Sequence, residues 1–131
     1  MALTAGLVLI FAGCSPAPDY TAATISYFNP WAPTDHKIWV VEGSSVQFTE
    51  TQPDGDGTPQ ASSLEYELTD QDAFYKALHR ALNAEQKSIC SDAQEYTLEA
   101  RDQSGVRYGN NLQQCGEQDT NITDLLNALD A

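Results

Sequence analysis

Short β-prone runs, in which apolar and polar residues tend to alternate, recur along the first half of the chain. They occupy residues 24–28, 36–41, 46–51 and 64–68 and predict strands with one buried face. Turn-forming or helix-breaking residues separate these runs, as in the Asn29-Pro30 and Glu42-Gly43 steps. Residues 52–63 are rich in Pro, Gly, Asp and Ser, so they are predicted to form a loop before the fourth strand.

Two later segments show helical periodicity instead. The first is predicted to begin at a cap formed by Thr69 or Asp70 and to end near Asn83 or Ala84. The second begins at Thr120 or Asn121. The apolar positions that define these two helices are Phe74, Leu78, Ala81 and Leu82 in the first and Ile122, Leu125, Leu126 and Leu129 in the second.

A further hairpin is predicted between the helices, with strands over residues 95–101 and 106–112. Its turn has Asp102 at the first position and Gly105 at the fourth, as is typical of a type I turn followed by a left-handed residue. Pairing through this turn sets Ala100 opposite Tyr108 and Tyr96 opposite Leu112, so that their apolar side chains share one face.

The resulting element order is β-β-β-β-α-β-β-α. Because short links join most of the strands, we expect an α+β fold with an antiparallel sheet of about five to six strands and both helices packed on one face. The chain has 131 residues, of which 41 % are hydrophobic, and this is enough for one core and not for two. The folded unit is expected to span residues 24–131.

The N-terminal 13 residues carry no charge and are mostly apolar, as in the hydrophobic region of an export signal. They lead into Phe11-Ala12-Gly13-Cys14. This motif resembles the lipobox of bacterial lipoproteins, in which small residues precede a cysteine that receives a diacylglycerol. The resemblance implies a signal peptide over residues 1–13, lipidation of Cys14 and a flexible linker over residues 14–23. Since Ser15 follows the cysteine, it also implies an outer-membrane protein that faces the periplasm.

Three cysteines are present, and Cys90 and Cys115 remain as a pair if Cys14 takes the lipid. An exported protein meets an oxidising compartment, so a Cys90–Cys115 disulfide is expected. The two residues lie just outside the ends of the predicted 95–112 hairpin, and the disulfide would close its base. Their spacing is not the Cys-x-x-Cys pattern typical of redox centres.

The chain is strongly acidic, and the charge is unevenly distributed. There are 19 acidic and 6 basic residues, which give a formal net charge of −13. Residues 50–72 contain seven acidic residues and no basic one. A nucleic-acid partner is not expected, because phosphate contacts require a basic surface. The acidic region instead indicates a solvated surface or, alternatively, electrostatic steering of a basic partner.

The segment from Asp54 to Glu65 is a weak candidate for a calcium loop. Asp54, Asp56, Thr58 and Glu65 fall at the first, third, fifth and twelfth positions of an EF-hand-like loop. However, Pro59 stands where such a loop normally has the Gly of its sharp turn, and the flanking segments are predicted to be strands. A hairpin loop with acidic turn residues accounts for the same sequence, so no cofactor is expected.

The sequence contains no motif that specifies catalysis. His79 is expected to be exposed beside Lys76 and Arg80, and no nucleophile-elbow sequence is present. We therefore expect a non-catalytic, lipid-anchored domain of the cell envelope with a binding or structural role. One alternative is an acidic inhibitor of a basic enzyme that attacks the envelope, such as a lysozyme. Another is a small hydrolase that uses carboxylates with His36 or His79.

Candidate partner-binding residues follow from the charge distribution and from one isolated aromatic residue. The acidic candidates are Asp54, Asp56, Glu65 and Glu67. Trp31 lies between two prolines in a segment without periodicity, where it is expected either to cover the core from outside or to form an exposed anchor for a partner.

Overall fold

In the computed structural model, which describes residues 17–32, 34–86, 90, 93–115 and 119–130, the chain forms one antiparallel sheet and two helices. The strands are β1 (Tyr20–Phe28), β2 (His36–Glu42), β3 (Ser45–Pro53), β4 (Pro59–Glu67), β5 (Gln94–Asp102) and β6 (Arg107–Gln114). The helices are α1 (Gln71–Leu82) and α2 (Thr120–Ala128). The predicted element order and the α+β fold class are confirmed.

The strands are arranged in the order β4-β3-β2-β1-β5-β6. The first four strands form a meander that places β4 at one edge of the sheet. Helix α1 then returns the chain to the other side of β1, where β5 and β6 complete the sheet. All five pairings between neighbouring strands are antiparallel.

Both helices pack on the same face of the sheet and bury one continuous core. The side chains of Ile25 in β1, Leu98 in β5 and Leu112 in β6 are fully buried there. The predicted apolar positions of the helices provide the other layer, since Phe74, Leu78, Ile122, Leu125 and Leu129 are almost completely inaccessible to solvent. The periodicity in the sequence therefore predicts the buried helical faces correctly.

Local capping also follows the sequence. The side chain of Asp70 accepts a hydrogen bond of 3.0 Å from the backbone N–H of Ala73, which satisfies one of the unpaired donors in the first turn of α1. Asp119 caps α2 in a similar way through the N–H of Asn121. In the β5–β6 hairpin, Ala100 pairs with Tyr108 and Tyr96 pairs with Leu112, which confirms the predicted register.

Two predicted segment boundaries are wrong. Strand β1 begins at Tyr20, inside the predicted linker 14–23, because Ala22 and Ala23 pair with both β2 and β5 and the Tyr20 ring packs against Tyr75 and Tyr108. The predicted loop over 52–63 is instead largely strand, since β3 extends to Pro53 and β4 begins at Pro59. The rest of the linker and the signal segment lie mostly outside the described residues.

The extension of β3 and β4 is compatible with both prolines. Pro53 and Pro59 face each other across the hairpin. Strand β2 pairs with β3 only as far as Thr51, so the nitrogen of Pro53 meets no neighbouring strand. By the alternation of the ladder, the nitrogen of Pro59 points to the free edge of β4. Neither proline therefore removes a hydrogen bond from the sheet.

Cys90 and Cys115 lie at disulfide-bonding distance, with their Cα atoms 5.8 Å apart. Strand β5 begins at Gln94 and β6 ends at Gln114, so the pair closes the base of this hairpin as predicted. The link also holds the chain that follows α1 next to β6.

We expect the variant Cys90→Ser/Cys115→Ser to be less stable by about 3 kcal/mol, because an open chain has more conformational entropy in its unfolded state. Urea unfolding followed by circular dichroism measures this difference. The variant Cys14→Ser serves as the control and should leave the free energy of unfolding unchanged. Rapid alkylation of Cys90 and Cys115 in the native, oxidised protein would contradict the pairing.

Candidate binding surface

All four predicted acidic candidates lie on one protruding element, the hairpin formed by β3 and β4 (Ser45–Glu67), here called the acidic hairpin. It contains five acidic residues and no Lys, Arg or His. Nine residue pairs join its strands without a register shift. All residues from 52 to 65 are exposed, so the distal half of the hairpin extends beyond the helix layer with both faces in solvent. The acidic residues are Glu50, Asp54, Asp56, Glu65 and Glu67.

At the tip of the hairpin, Asp54 stabilises the turn. Its Oδ1 atom accepts hydrogen bonds from the backbone N–H groups of Asp56 (2.8 Å) and Thr58 (3.0 Å). Gly57 adopts a φ of 79°, a left-handed conformation that favours glycine. The Asp54 carboxylate therefore has a clear structural role as a turn-forming residue.

The structure does not assemble the calcium loop that the sequence weakly indicated. Asp54, Asp56 and Thr58 lie at the turn, but Glu65 lies far along β4, opposite Gln47. Glu65 lies six positions beyond Pro59 along the extended strand, a distance of about 20 Å, which is too long for a shared cation. Among the residues that the structure describes, no group of three or more His, Cys, Asp or Glu is arranged to hold a metal ion.

Glu65 and Glu67 project from the face of the sheet opposite the helices, here called the open face. Alternation along β4 places them there together with Gln47, Val40 and Glu42 of the neighbouring strands. These five residues line part of a shallow, open depression of about 500 Å³. Three of them are carboxylates, so a ligand on this part of the open face would meet negative charge.

The carboxylate of Glu67 is held by two serines, one in the β2–β3 turn and one at the start of β3. Ser44 Oγ donates a hydrogen bond of 2.5 Å to Glu67 Oε2, and Ser45 Oγ donates one of 2.7 Å to Oε1. These hydrogen bonds, that from Ser44 first, lower the pKa of Glu67 below its usual value against a small opposing effect of desolvation. Glu67 is thus a fixed negative charge at neutral pH.

Trp31 does not cover the core, so the first of the two expectations for this residue is wrong. Its side chain is 77 % exposed. The loop that carries it is folded by local hydrogen bonds, because the backbone N–H of Trp31 donates to Asn29 Oδ1 (3.0 Å) and the N–H of Ala32 donates to the carbonyl of Asn29 (3.1 Å). The loop lies at the same end of the sheet as the tip of the acidic hairpin, since His36 pairs with Thr51.

Sequence analysis missed an apolar stripe on the open face. Phe28, Ile38 and Val40 are each about two-fifths exposed, and they lie on the adjacent central strands β1 and β2. The signal was present in the run Ile38-Trp39-Val40-Val41. Four consecutive apolar residues in a strand put apolar side chains on both faces, and only one face is covered by helices.

The two histidines are not brought together. The His36 ring packs against Phe28 at the end of β1, with the ring centroids 5.5 Å apart. His79 Nδ1 lies 2.7 Å from the hydroxyl of Tyr20, at the beginning of β1. His79 is partly buried by this contact, so the expectation that it is exposed is wrong. Cys14, the predicted lipidation site, lies outside the described residues.

Comparison with known proteins assigns no relative. No family model matches the chain, and neither the curated proteins nor the solved structures contain a significant match. No helix in the described part of the chain is long and apolar enough to cross a membrane.

We expect the variant Ser44→Ala/Ser45→Ala to raise the pKa of Glu67, because the two hydrogen bonds favour its charged form. The stabilisation that these bonds give is present above the unfolded-state pKa and is lost as the pH falls through the lowered folded-state pKa. Carboxyl-carbon NMR titration measures the shift. The control Ser62→Ala lies on the same hairpin and should leave the Glu67 titration unchanged. An identical Glu67 titration in the double variant would contradict the arrangement.

Proposed function

We propose that this chain is a non-catalytic binding module of the bacterial cell envelope, and that the acidic hairpin recognises a basic protein. The observation that carries this proposal is the position of five acidic residues on one exposed, well-formed hairpin without a single basic residue. Charge of one sign on a rigid protruding element accelerates association with a partner of opposite charge and excludes acidic partners.

The proposal is supported by the way the acidic side chains are held. Asp54 and Glu67 are fixed by hydrogen bonds to the turns at the two ends of the hairpin. A pre-arranged charge loses less conformational entropy on binding than a free side chain does. The exposed Trp31 at the same end of the sheet supplies a large aromatic surface of the kind that contributes strongly to interfaces.

We further propose that the module is attached to the membrane through a lipid on Cys14 and is located at the outer membrane, facing the periplasm. The support is the Phe11-Ala12-Gly13-Cys14 motif followed by Ser15. Since β1 begins at Tyr20, the tether from Cys14 has a reach of at most about 20 Å. The domain would therefore work within one domain diameter of the membrane surface.

Expression in a bacterium with radiolabelled palmitate tests the attachment. The label should appear on the protein and should be lost in the variant Cys14→Ser, because the thiol of Cys14 is the proposed acceptor. Globomycin, which blocks the lipoprotein signal peptidase, should cause the unprocessed form to accumulate. The variant Cys90→Ser/Cys115→Ser is the control and should keep the label. An unlabelled protein that begins at another residue would contradict the proposal.

An inhibitor of a basic envelope-attacking enzyme is a specific form of this function. Lysozyme is a suitable probe, because it is a strongly basic enzyme that acts on the cell envelope. Binding without loss of lysozyme activity supports a general module for basic partners, whereas binding with loss of activity supports an inhibitor.

We expect the purified protein to bind lysozyme at low ionic strength and to lose affinity as salt is added, because surface charge interactions are screened. The variant Asp56→Asn/Glu65→Gln should weaken binding about two- to thirtyfold, since exposed charge pairs contribute roughly 0.2–1 kcal/mol each. The control Glu85→Gln/Asp124→Asn changes the net charge equally outside the hairpin and should have a smaller effect. Isothermal titration calorimetry measures both. Salt-insensitive binding, or equal loss in the two variants, would contradict the role of the hairpin.

A further inference from the structure

We infer that the outer edge of β4 accepts an extended segment of the basic partner as an additional strand of the sheet. This inference rests on the proposed function and specifies how the acidic hairpin would engage its partner. In this mode the backbone of the edge strand supplies hydrogen bonds, and side-chain positions on the two faces supply specificity.

The hydrogen-bonding pattern shows which groups of β4 are available. The backbone N–H of Leu68 donates to the carbonyl of Ser44 (2.8 Å), and the N–H of Asp54 donates to the carbonyl of Thr58 (2.9 Å). Since bonding alternates along an antiparallel ladder, the even-numbered residues of β4 bond to β3. The odd-numbered residues direct their backbone groups away from the sheet. They are Ala61, Ser63, Glu65 and Glu67, with Pro59 contributing only a carbonyl.

This edge has few of the features that protect edge strands. Such strands are usually short, bulged, covered or rich in Lys. Strand β4 has nine residues and an unbroken register, contains no Lys, and has a single proline at its first position. Within the described ranges, no hydrogen bond from another segment reaches the outward backbone groups of Ala61, Ser63 or Glu65.

Part of the opposite edge of the sheet is satisfied by side chains of the same protein. The side-chain amide of Gln86 spans the backbone of Gln113 in β6, because Gln86 Oε1 accepts from its N–H (2.7 Å) and Gln86 Nε2 donates to its carbonyl (3.3 Å). Further along β6, the side chain of Asn110 donates to the carbonyls of Ala81 in α1 and Ala84 just after it, and its Oδ1 accepts from the backbone N–H of Asn111 (2.9 Å). Within the described ranges, the fold thus pairs outward backbone groups of Asn111 and Gln113 on the β6 edge, whereas those of Ala61, Ser63 and Glu65 on the β4 edge have no such partner.

The side chains along β4 indicate which kind of segment would pair with this edge. Glu65 and Glu67 lie on the open face, whereas Leu64 and Tyr66 lie on the helix side, where the Leu64 side chain is still 58 % exposed. A strand added beside β4 would place alternate residues next to these two rows. Basic residues would complement the row of Glu65 and Glu67, and apolar residues would cover Leu64. The fitting partner is therefore an extended segment with alternating basic and apolar residues.

A second copy of this chain fits the edge poorly. Pairing two β4 strands would bring the acidic hairpins of two molecules together, each with five acidic residues and no basic one. Like charges on adjacent strands are unfavourable. The charge that attracts a basic segment thus opposes self-association at the same edge.

Binding of the peptide Lys-Val-Lys-Val-Lys-Val-Lys, measured by fluorescence anisotropy at low salt, tests the inference. Two matched peptides carry N-methyl groups either on all lysines or on all valines. Each modification removes the N–H groups from one edge of the peptide strand and leaves the charge unchanged. Strand addition predicts that only one of the two methylated peptides loses affinity, by roughly tenfold or more. Equal affinity of all three peptides, or no binding of the parent, would overturn it.

The protein side is tested by Ser63→Pro, which removes an outward N–H without removing a bond to β3. We expect roughly a tenfold or greater loss of affinity for the parent peptide. The control Ser63→Ala keeps the N–H and should change the affinity less than twofold. If Ser63→Pro is misfolded by circular dichroism, Ala61→Pro tests the same edge.

The outcomes separate this inference from the proposed function. If Ser63→Pro binds the peptide normally while Asp56→Asn/Glu65→Gln binds lysozyme more weakly, strand addition is wrong and the acidic hairpin remains the binding surface. If Asp56→Asn/Glu65→Gln affects lysozyme no more than its charge-matched control does, the proposed function itself fails. A dimer that is lost in Ser63→Pro would assign the edge to a second copy and overturn the choice of a basic partner.

Discussion

The architecture depends on one constraint: two short helices can cover only a limited area of the sheet. Helix α1 has 12 residues and α2 has 9, so they are about 18 Å and 13 Å long, and each is about 10 Å wide. The sheet has six strands, and its nine-residue strands are about 30 Å long. The helices can therefore bury only part of one face, and the residues that contact them form the core. For the same reason, these helices cover neither the distal half of the acidic hairpin nor the open face.

Within the covered region, sequence patterns were sufficient to predict the structure. The β5–β6 hairpin follows from Asp102 and Gly105, because the turn fixes the register without help from distant residues. In the structure, Asp102 receives hydrogen bonds from the backbone N–H groups of Ser104 and Val106 and from the hydroxyl of Tyr108. Despite opposing desolvation, these bonds lower the pKa of Asp102. The apolar spacing in α1 and α2 likewise depends only on burial against a neighbouring layer.

The sequence-based predictions are wrong where no packed helix layer imposes an alternation of apolar and polar residues. Residues 52–63 are polar on both faces, so the hydrophobic alternation that identifies a strand is missing, although backbone pairing with the neighbouring strand still forms one. The first residues of β1, Tyr20–Ala23, were missed for a similar reason. Three of these four residues are small, and small residues in the centre of a sheet give only a weak strand pattern. The acidic residues of the candidate site were identified from composition. Their placement on one hairpin, and the separation of Glu65 from Asp54, required the three-dimensional pairing.

The same lack of cover explains why charge matters on the acidic hairpin. An edge strand that is long, regular and not covered by a helix is prone to pair with other chains. Proteins normally prevent this pairing with loops, bulges or lysines. On the opposite edge, the side chain of Gln86 bonds to both backbone groups of Gln113 in β6. On β4, the remaining barrier against pairing with identical molecules is electrostatic repulsion between acidic hairpins. A barrier of this kind discriminates by charge rather than by shape. Under the proposed function, it would keep identical molecules apart and admit a strand of opposite charge, so that the uncovered edge would select its partner by charge.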